Sequence, residues 1–182
     1  MKHAGRVVVV LAAILALGAQ WLPAQSSVAE QLRQQWTASR RQIVAIAEVM
    51  PESKFHYKPT PEVRSFGELV AHIAGEGRTW METVAGVPQP GAAERFDALK
   101  DRAEILKTLS EFFDYGSKAL ADLTDPKALE VVPFGRRQVP RWVIVMQTIG
   151  HNKEHYGNLV TYLRLNGIVP PSSAPSPSQP GA

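Results

Sequence analysis

Pro140-Arg-Trp-Val-Ile-Val-Met-Gln-Thr-Ile-Gly-His-Asn-Lys-Glu-His-Tyr-Gly-Asn-Leu-Val-Thr-Tyr-Leu-Arg-Leu-Asn-Gly167 reads as one long helix. Pro140 suits a first helical position, where its missing N–H is no loss. Asn166-Gly167 supplies a left-handed stop, with Pro170 just beyond. Trp142, Val145, Ile149, Leu159 and Leu163 form the expected apolar face. A polar stripe of Thr148, His151, His155, Asn158 and Tyr162 runs along the same flank. Polar groups bordering a core face point to an internal cavity between helices more than to open solvent.

Three further helices are expected upstream. Val28, Leu32, Trp36, Ile43, Ile46 and Met50 recur at helical spacing up to Pro51. Ser65 and Glu68 form a capping box for a second helix through Phe66, Leu69, Val70, Ile73, Gly77, Trp80 and Val84, which stops by Gly86-Val87-Pro88. A third is expected from about Ala98 to Leu123, with Leu99, Ala103, Leu106, Leu109, Phe113, Leu120 and Leu123 on one side and Asp125-Pro126 as its end. Between the third and fourth, Leu129 to Val139 places apolar residues around a Gly turn, which predicts at most a short, poorly formed hairpin. No internal repeat is visible. The expected fold is all-α, a four-helix bundle.

The chain has 182 residues, 45% hydrophobic and 20% charged, which suits one domain. Its first residues read as a signal peptide: Lys2 and Arg6, then the uncharged run Val7 to Ala19, then small residues, with cleavage after Ala24 or Ser26. That run is too short for a membrane span, which needs about 20 apolar residues. Residues 1–26 are thus assigned to export, to the periplasm or outside the cell, and no stable span is expected after cleavage. Taking Lys2 and Arg6 from the 20 basic residues leaves 18 against 17 acidic, a net charge of +1, so no nucleic-acid partner is expected. The chain contains no cysteine, which excludes disulfides, thiolate metal sites, a Cys nucleophile and lipid attachment at an N-terminal Cys. From Pro170 to Ala182 there are five prolines in thirteen residues and no large apolar side chain, so 170–182 is expected to be a disordered tail. The domain is then 27–169.

Four histidines lie in the remainder: His56, His72, His151 and His155. His151 and His155, spaced i, i+4, project from one side of a helix about a turn apart, as two imidazoles sharing a metal ion would. By itself that spacing also fits two solvated side chains. His72, between Leu69 and Ile73 on a neighbouring helix, would complete a three-His site with open positions. His56 lies in a loop and is left out of the site.

The segment Lys58-Pro-Thr-Pro-Glu-Val-Arg-Ser-Phe-Gly-Glu-Leu-Val-Ala-His72-Ile-Ala, with His151-Asn-Lys-Glu-His155 and the residues after it to Pro171, resembles the DinB/YfiT-like superfamily of metalloenzymes. The resemblance covers essentially the whole domain. It implies up-down-down-up connectivity and a divalent metal held by His72, His151 and His155. Characterised relatives include transferases that use low-molecular-weight thiols and a thiol-dependent isomerase. Those thiols are mainly cytosolic, which an exported chain does not match.

Three imidazoles leave a divalent ion its full charge and do not discriminate among Zn, Ni, Fe and Cu. A hydrolase and a thiol-type transferase would need the same ligands, so the reaction turns on surrounding groups. Glu154, beside His155, and Glu76, one turn after His72, are candidates for a base, although helical glutamates are more often solvated. Asn158 and Tyr162 are candidates for substrate contact. Tyr156, Trp80 and Trp142 read as core aromatics, and Arg136-Arg137 as an exposed turn. A metal-dependent enzyme acting on an unknown small molecule is the leading reading. The alternatives are a non-catalytic metal- or ligand-binding module and a purely structural bundle. A homodimer through helix faces is open.

Overall fold

The computed structural model describes residues 26–89 and 91–174. The signal segment, apart from Ser26, and residues 175–182 of the expected tail lie outside them. The elements are α1 (Val28–Val49), a 3-10 turn (Glu52–Lys54), α2 (Phe66–Ala85), α3 (Ala92–Asp97), α4 (Arg102–Ala121), α5 (Asp125–Leu129), β1 (Val131–Phe134), β2 (Arg137–Pro140), α6 (Arg141–Leu165) and a second 3-10 turn (Pro171–Ser173).

The four long helices, α1, α2, α4 and α6, form the bundle. Each of α1 and α2 packs on both α4 and α6, so α1 sits diagonally across from α2 and α4 from α6. Side-chain bonds set their directions. Arg33 on α1 donates to the carbonyls of Leu120 and Leu123, and Arg102 at the start of α4 donates to Glu48 at the end of α1, so α1 and α4 are antiparallel. Arg141 at the start of α6 donates to Thr83 and Val84 at the end of α2, and Tyr162 near the end of α6 donates to Arg64 just ahead of α2. These helices are antiparallel too. Lys54, just past α1, donates to Asn166 just past α6, so α1 and α6 run together. The connectivity is up-down-down-up.

Local chemistry explains most of the boundaries. Ser27 accepts from Glu30 N–H to cap α1, and the expected box between Ser65 and Glu68 is complete at α2. Gly86 ends α2 at φ 79° and Gly167 follows α6 at φ 71°, both left-handed positions that glycine takes without strain. Pro140 is the N-cap of α6, one residue ahead of the first helical position.

The structure differs from expectation at the third helix, the hairpin, Trp142 and the start of the tail. The third helix does not begin at Ala98: Asp101 accepts from Glu104 N–H and caps α4 afresh, while the preceding residues form the separate α3. Nor does α4 reach Leu123, because Thr124 caps α5, which carries Pro126 in its first turn. The buried face of α4 holds Ile105, Thr108, Leu109, Phe112, Phe113, Gly116 and Leu120, whereas Leu99 and Leu106 are half-buried. The hairpin is fully paired over four positions, Val131 with Pro140 to Phe134 with Arg137, and turns on Gly135 at φ 60°. Trp142 is exposed, not core, because it sits in the first turn of α6 beside Val28, where α1 has only begun. At the start of the expected tail, Pro171–Ser173 forms a 3-10 turn against α1, and Arg164 donates to Ser173.

One seam of the bundle is dry and interlocked. Trp36 on α1 lies over Gly116 on α4, where a methyl group would overlap its ring. Its Nε1–H donates to Phe113 O and Ser117 Oγ, and its ring meets Phe112 and Phe113 at 5.3 Å each.

Candidate metal centre

The seam between α2 and α6 is tied at both ends, by Arg141 at one and Tyr162 at the other, and the histidines lie between the ties. The capping box holds the start of α2 in register: Ser65 Oγ accepts from Glu68 N–H at 3.2 Å, and Glu68 accepts from Ser65 N–H at 2.9 Å. Chiefly that backbone N–H, with Lys58 and Lys100 adding to it, draws the Glu68 carboxyl down to about 2. From this start, His72 faces the middle of α6.

There it meets both predicted partners. His72 Nε2 is 3.3 Å from His151 Nε2, which is 3.1 Å from His155 Nε2. Ligand nitrogens of all three lie within 4.8 Å of one another. Imidazole nitrogens about 2.0–2.1 Å from a shared ion stand about 3.4 Å apart at a tetrahedral angle and about 2.9 Å apart at a right angle. The two successive spacings, 3.3 and 3.1 Å, fall in the range that ligands of one ion show.

The cluster also suits a cation in its protonation. Burial, then the charges of His155, His72 and Arg64, hold His151 far below the usual imidazole range, to about 3. Burial likewise lowers His72, with Arg64 and His155 adding to it and Asp97 opposing. His155 is lowered by burial and by Arg64, against the charge of Glu154. Neutral imidazoles at neutral pH present converging lone pairs, the form a metal ion takes.

The outer nitrogens have their own surroundings. His72 Nδ1 stands 4.0 Å from Asp97 Oδ1, a carboxylate placed to orient the ring. His155 Nδ1 is 3.3 Å from the Asn158 amide, whose oxygen accepts the Nδ1 proton once the amide is turned, as ligation through Nε2 requires. His151 Nδ1 is buried without a hydrogen-bond partner among the described residues. Beside it, Asn152 is fully buried and donates to Ser39 Oγ on α1, pinning this turn of α6 across the bundle.

Two cavities flank the triad. One, of about 520 Å³, lies over Trp80 and is walled by Phe134, Arg136 and Arg137. Trp80 stacks edge-on against Phe134 and against His151, with centroids 5.9 and 5.1 Å apart, so it is a wall of the site as well as a packing residue. The other, of about 780 Å³, is lined by His155, Asn158, Tyr162 and the loop that carries Arg64.

Of the expected residues, the structure brings His72, His151 and His155 together. Asn158 and Tyr162 line the larger cavity, although the Tyr162 hydroxyl is committed to Arg64 O at 3.0 Å. Glu154 is exposed, Glu76 is half-buried, and neither belongs to the ligand group, which contains no carboxylate. His56 is exposed in its loop. Sequence reading missed Asp97, Arg64 and Trp80 as site residues. Asp97 arrives through Gly75 on α2, where a Cβ would come within 2.9 Å of Phe96; its absence lets α3 lie close on α2. A glycine one turn after His72, facing a short helix ending in Asp, was the available signal.

Residues 24–176 match the DinB family. The chain belongs to the DinB family. Solved structures of the same fold include a DinB-like protein from Bacillus cereus, 18% identical, with a TM-score of 0.68 over 77% of this chain and 93% of that one. A DinB-like protein of Bacillus subtilis, YjoA, is 20% identical, with a TM-score of 0.65 over 83% and 99%. YfiT from Bacillus subtilis, described as "a probable metal-dependent hydrolase with an unusual four-helix bundle topology", is 16% identical, with a TM-score of 0.63 over 81% and 94%. No curated protein matches this DinB-family chain. At these identities the likeness establishes the bundle, and the chemistry rests on this chain's own residues.

Proposed function

We propose that this DinB-family protein is an exported metal-dependent enzyme, with hydrolysis the first reaction to test and thiol-type transfer the second. The convergence of three neutral imidazoles, His151 standing 3.3 and 3.1 Å from its two neighbours, beside a cavity of substrate size carries this reading. The description of YfiT as a metal-dependent hydrolase supports the order of the two reactions. His72, His151 and His155 would hold one divalent ion, Zn, Ni or Fe. Bound there, such an ion supplies Lewis acidity, polarising a carbonyl and lowering the pKa of a neighbouring proton donor.

The chain's own groups do the rest. Asp97 and Asn158 orient the His72 and His155 rings, and Trp80 shields one side of His151 from water. Glu154 and Glu76 remain the candidates for moving a proton. Asn158 is the candidate for substrate contact, while Tyr162 acts through the loop it holds. Export through residues 1–26 belongs to the same proposal, as does the expectation of no nucleic-acid partner. Among the described residues no helix is long and apolar enough to cross a membrane.

The deciding experiment measures the metal content of the protein, produced with its own leader and never exposed to chelator, beside a His151→Ala/His155→Ala variant. One metal per chain in the wild type and almost none in the folded variant is expected, followed by a screen of ester, amide and thiol-transfer substrates. A folded wild type that takes up neither Zn nor Ni on titration would overturn the reading. N-terminal sequencing of the exported protein tests cleavage after Ala24 or Ser26.

A further inference from the structure

We propose that the cavity beside His155 receives a carboxylate-bearing molecule with an apolar body, and that Arg64 anchors its carboxylate. This names the substrate class for the site above and rests on that reading only for the chemistry at the histidines. The cavity, about 780 Å³, exceeds what a few waters need, and its wall combines Val63, Leu69, Leu165 and the Tyr162 ring with one cation, Arg64. No ion pair engages Arg64 among the described residues, although the chain pairs arginines 33, 40, 78 and 141 with acids. The cavity's acid, Glu62, already accepts from its own backbone N–H and from Thr60.

Position is built in. The Tyr162 hydroxyl, on a side chain 8% exposed, donates to Arg64 O at 3.0 Å, and the next residue, Ser65, caps α2. The loop therefore cannot carry Arg64 away from α6 without breaking this partly buried bond. Arg64 and His155 line the same cavity, which sets the guanidinium and the edge of the triad around one space. A guanidinium fork matches a carboxylate through two parallel hydrogen bonds, and one such fork suits a monoanion.

The test titrates metal-free protein, by calorimetry or amide chemical shifts, with 4-phenylbutyrate and with its uncharged amide. The wild type is expected to bind the carboxylate at least tenfold more tightly than the amide, with shifts confined to the Arg64 loop and the end of α6. In Arg64→Gln the preference is expected to vanish while weak binding of both remains, with melting temperature and Zn stoichiometry unchanged. Equal affinity for the two probes, no binding of either, or a preference that survives Arg64→Gln would overturn the proposal. So would a preference seen only in Zn-loaded protein and independent of Arg64, since the ion alone would then hold the anion. An Arg64-dependent preference in a protein that takes up no Zn would leave this inference standing and remove the metalloenzyme reading.

Discussion

The α1–α4 and α2–α6 seams are built to opposite ends. Across the first, Trp36 fills the space over Gly116, with Phe112 and Phe113 around it, and the charged contacts, Arg33 to Leu120 and Arg40 to Asp114, lie to either side. Across the second, three partly buried imidazoles face one another between two cavities, and a buried nitrogen of His151 has no partner among the described residues. Close packing stabilises a fold because every void forfeits contacts, while a binding site needs a void and unpaired polar groups. Stability is therefore concentrated at one seam of the bundle and chemistry at the opposite one.

The contrast is most easily broken at Trp36. Trp36→Ala removes the largest buried ring of the dry seam and should cost about 3–5 kcal/mol in chemical denaturation. A loss below about 1 kcal/mol would show that the seam is not interlocked. His151→Ala should behave in the opposite way, abolishing metal uptake while changing metal-free stability by no more than about 1 kcal/mol. A collapse of the metal-free variant would make the triad structural.

The same comparison has a pH dependence. The fold holds the three imidazoles below their ordinary value of 6.5, so the unfolded chain takes up protons first as pH falls. Stability of the metal-free protein, full above about pH 6.5, should decline below it, and for His151 the decline continues toward about 3. Denaturation curves from pH 7 to 5 should show a shallower slope for His151→Ala; equal slopes would contradict the assignment.

Smaller effects are expected around the triad. Asp97→Asn keeps the shape but weakens the hold on His72, and at 4.0 Å the cost should be about tenfold in metal affinity, the low end for such groups. Competition with a chelator measures it. Ser65→Ala removes one half of the capping box and should cost about 1 kcal/mol, with metal affinity moving less than stability.

How far the sequence reaches varies by element. The limits of α2 and α6 were legible because capping boxes, prolines and left-handed glycines act within a few residues. The third helix was misread because its apolar spacing runs through Asp101, and nothing local says that α3 turns aside to lie on Gly75. Trp142 looked like core for a similar reason: periodicity names a face, not the length over which a partner covers it. The hairpin came out better ordered than its composition suggested, since Trp80 packs on Phe134.

The sequence alone determined the all-α class, the caps, and the i, i+4 pair His151 and His155, since each follows from backbone geometry within one helix. Tertiary structure decided that His72 meets them at 3.3 Å, that Asp97 and Arg64 join from segments 25 and 8 residues away from His72 along the chain, and that Glu154 faces solvent. Those outcomes depend on which helices lie side by side and how closely they approach. Side-chain volumes distributed over the whole bundle set that approach, and no local pattern encodes it.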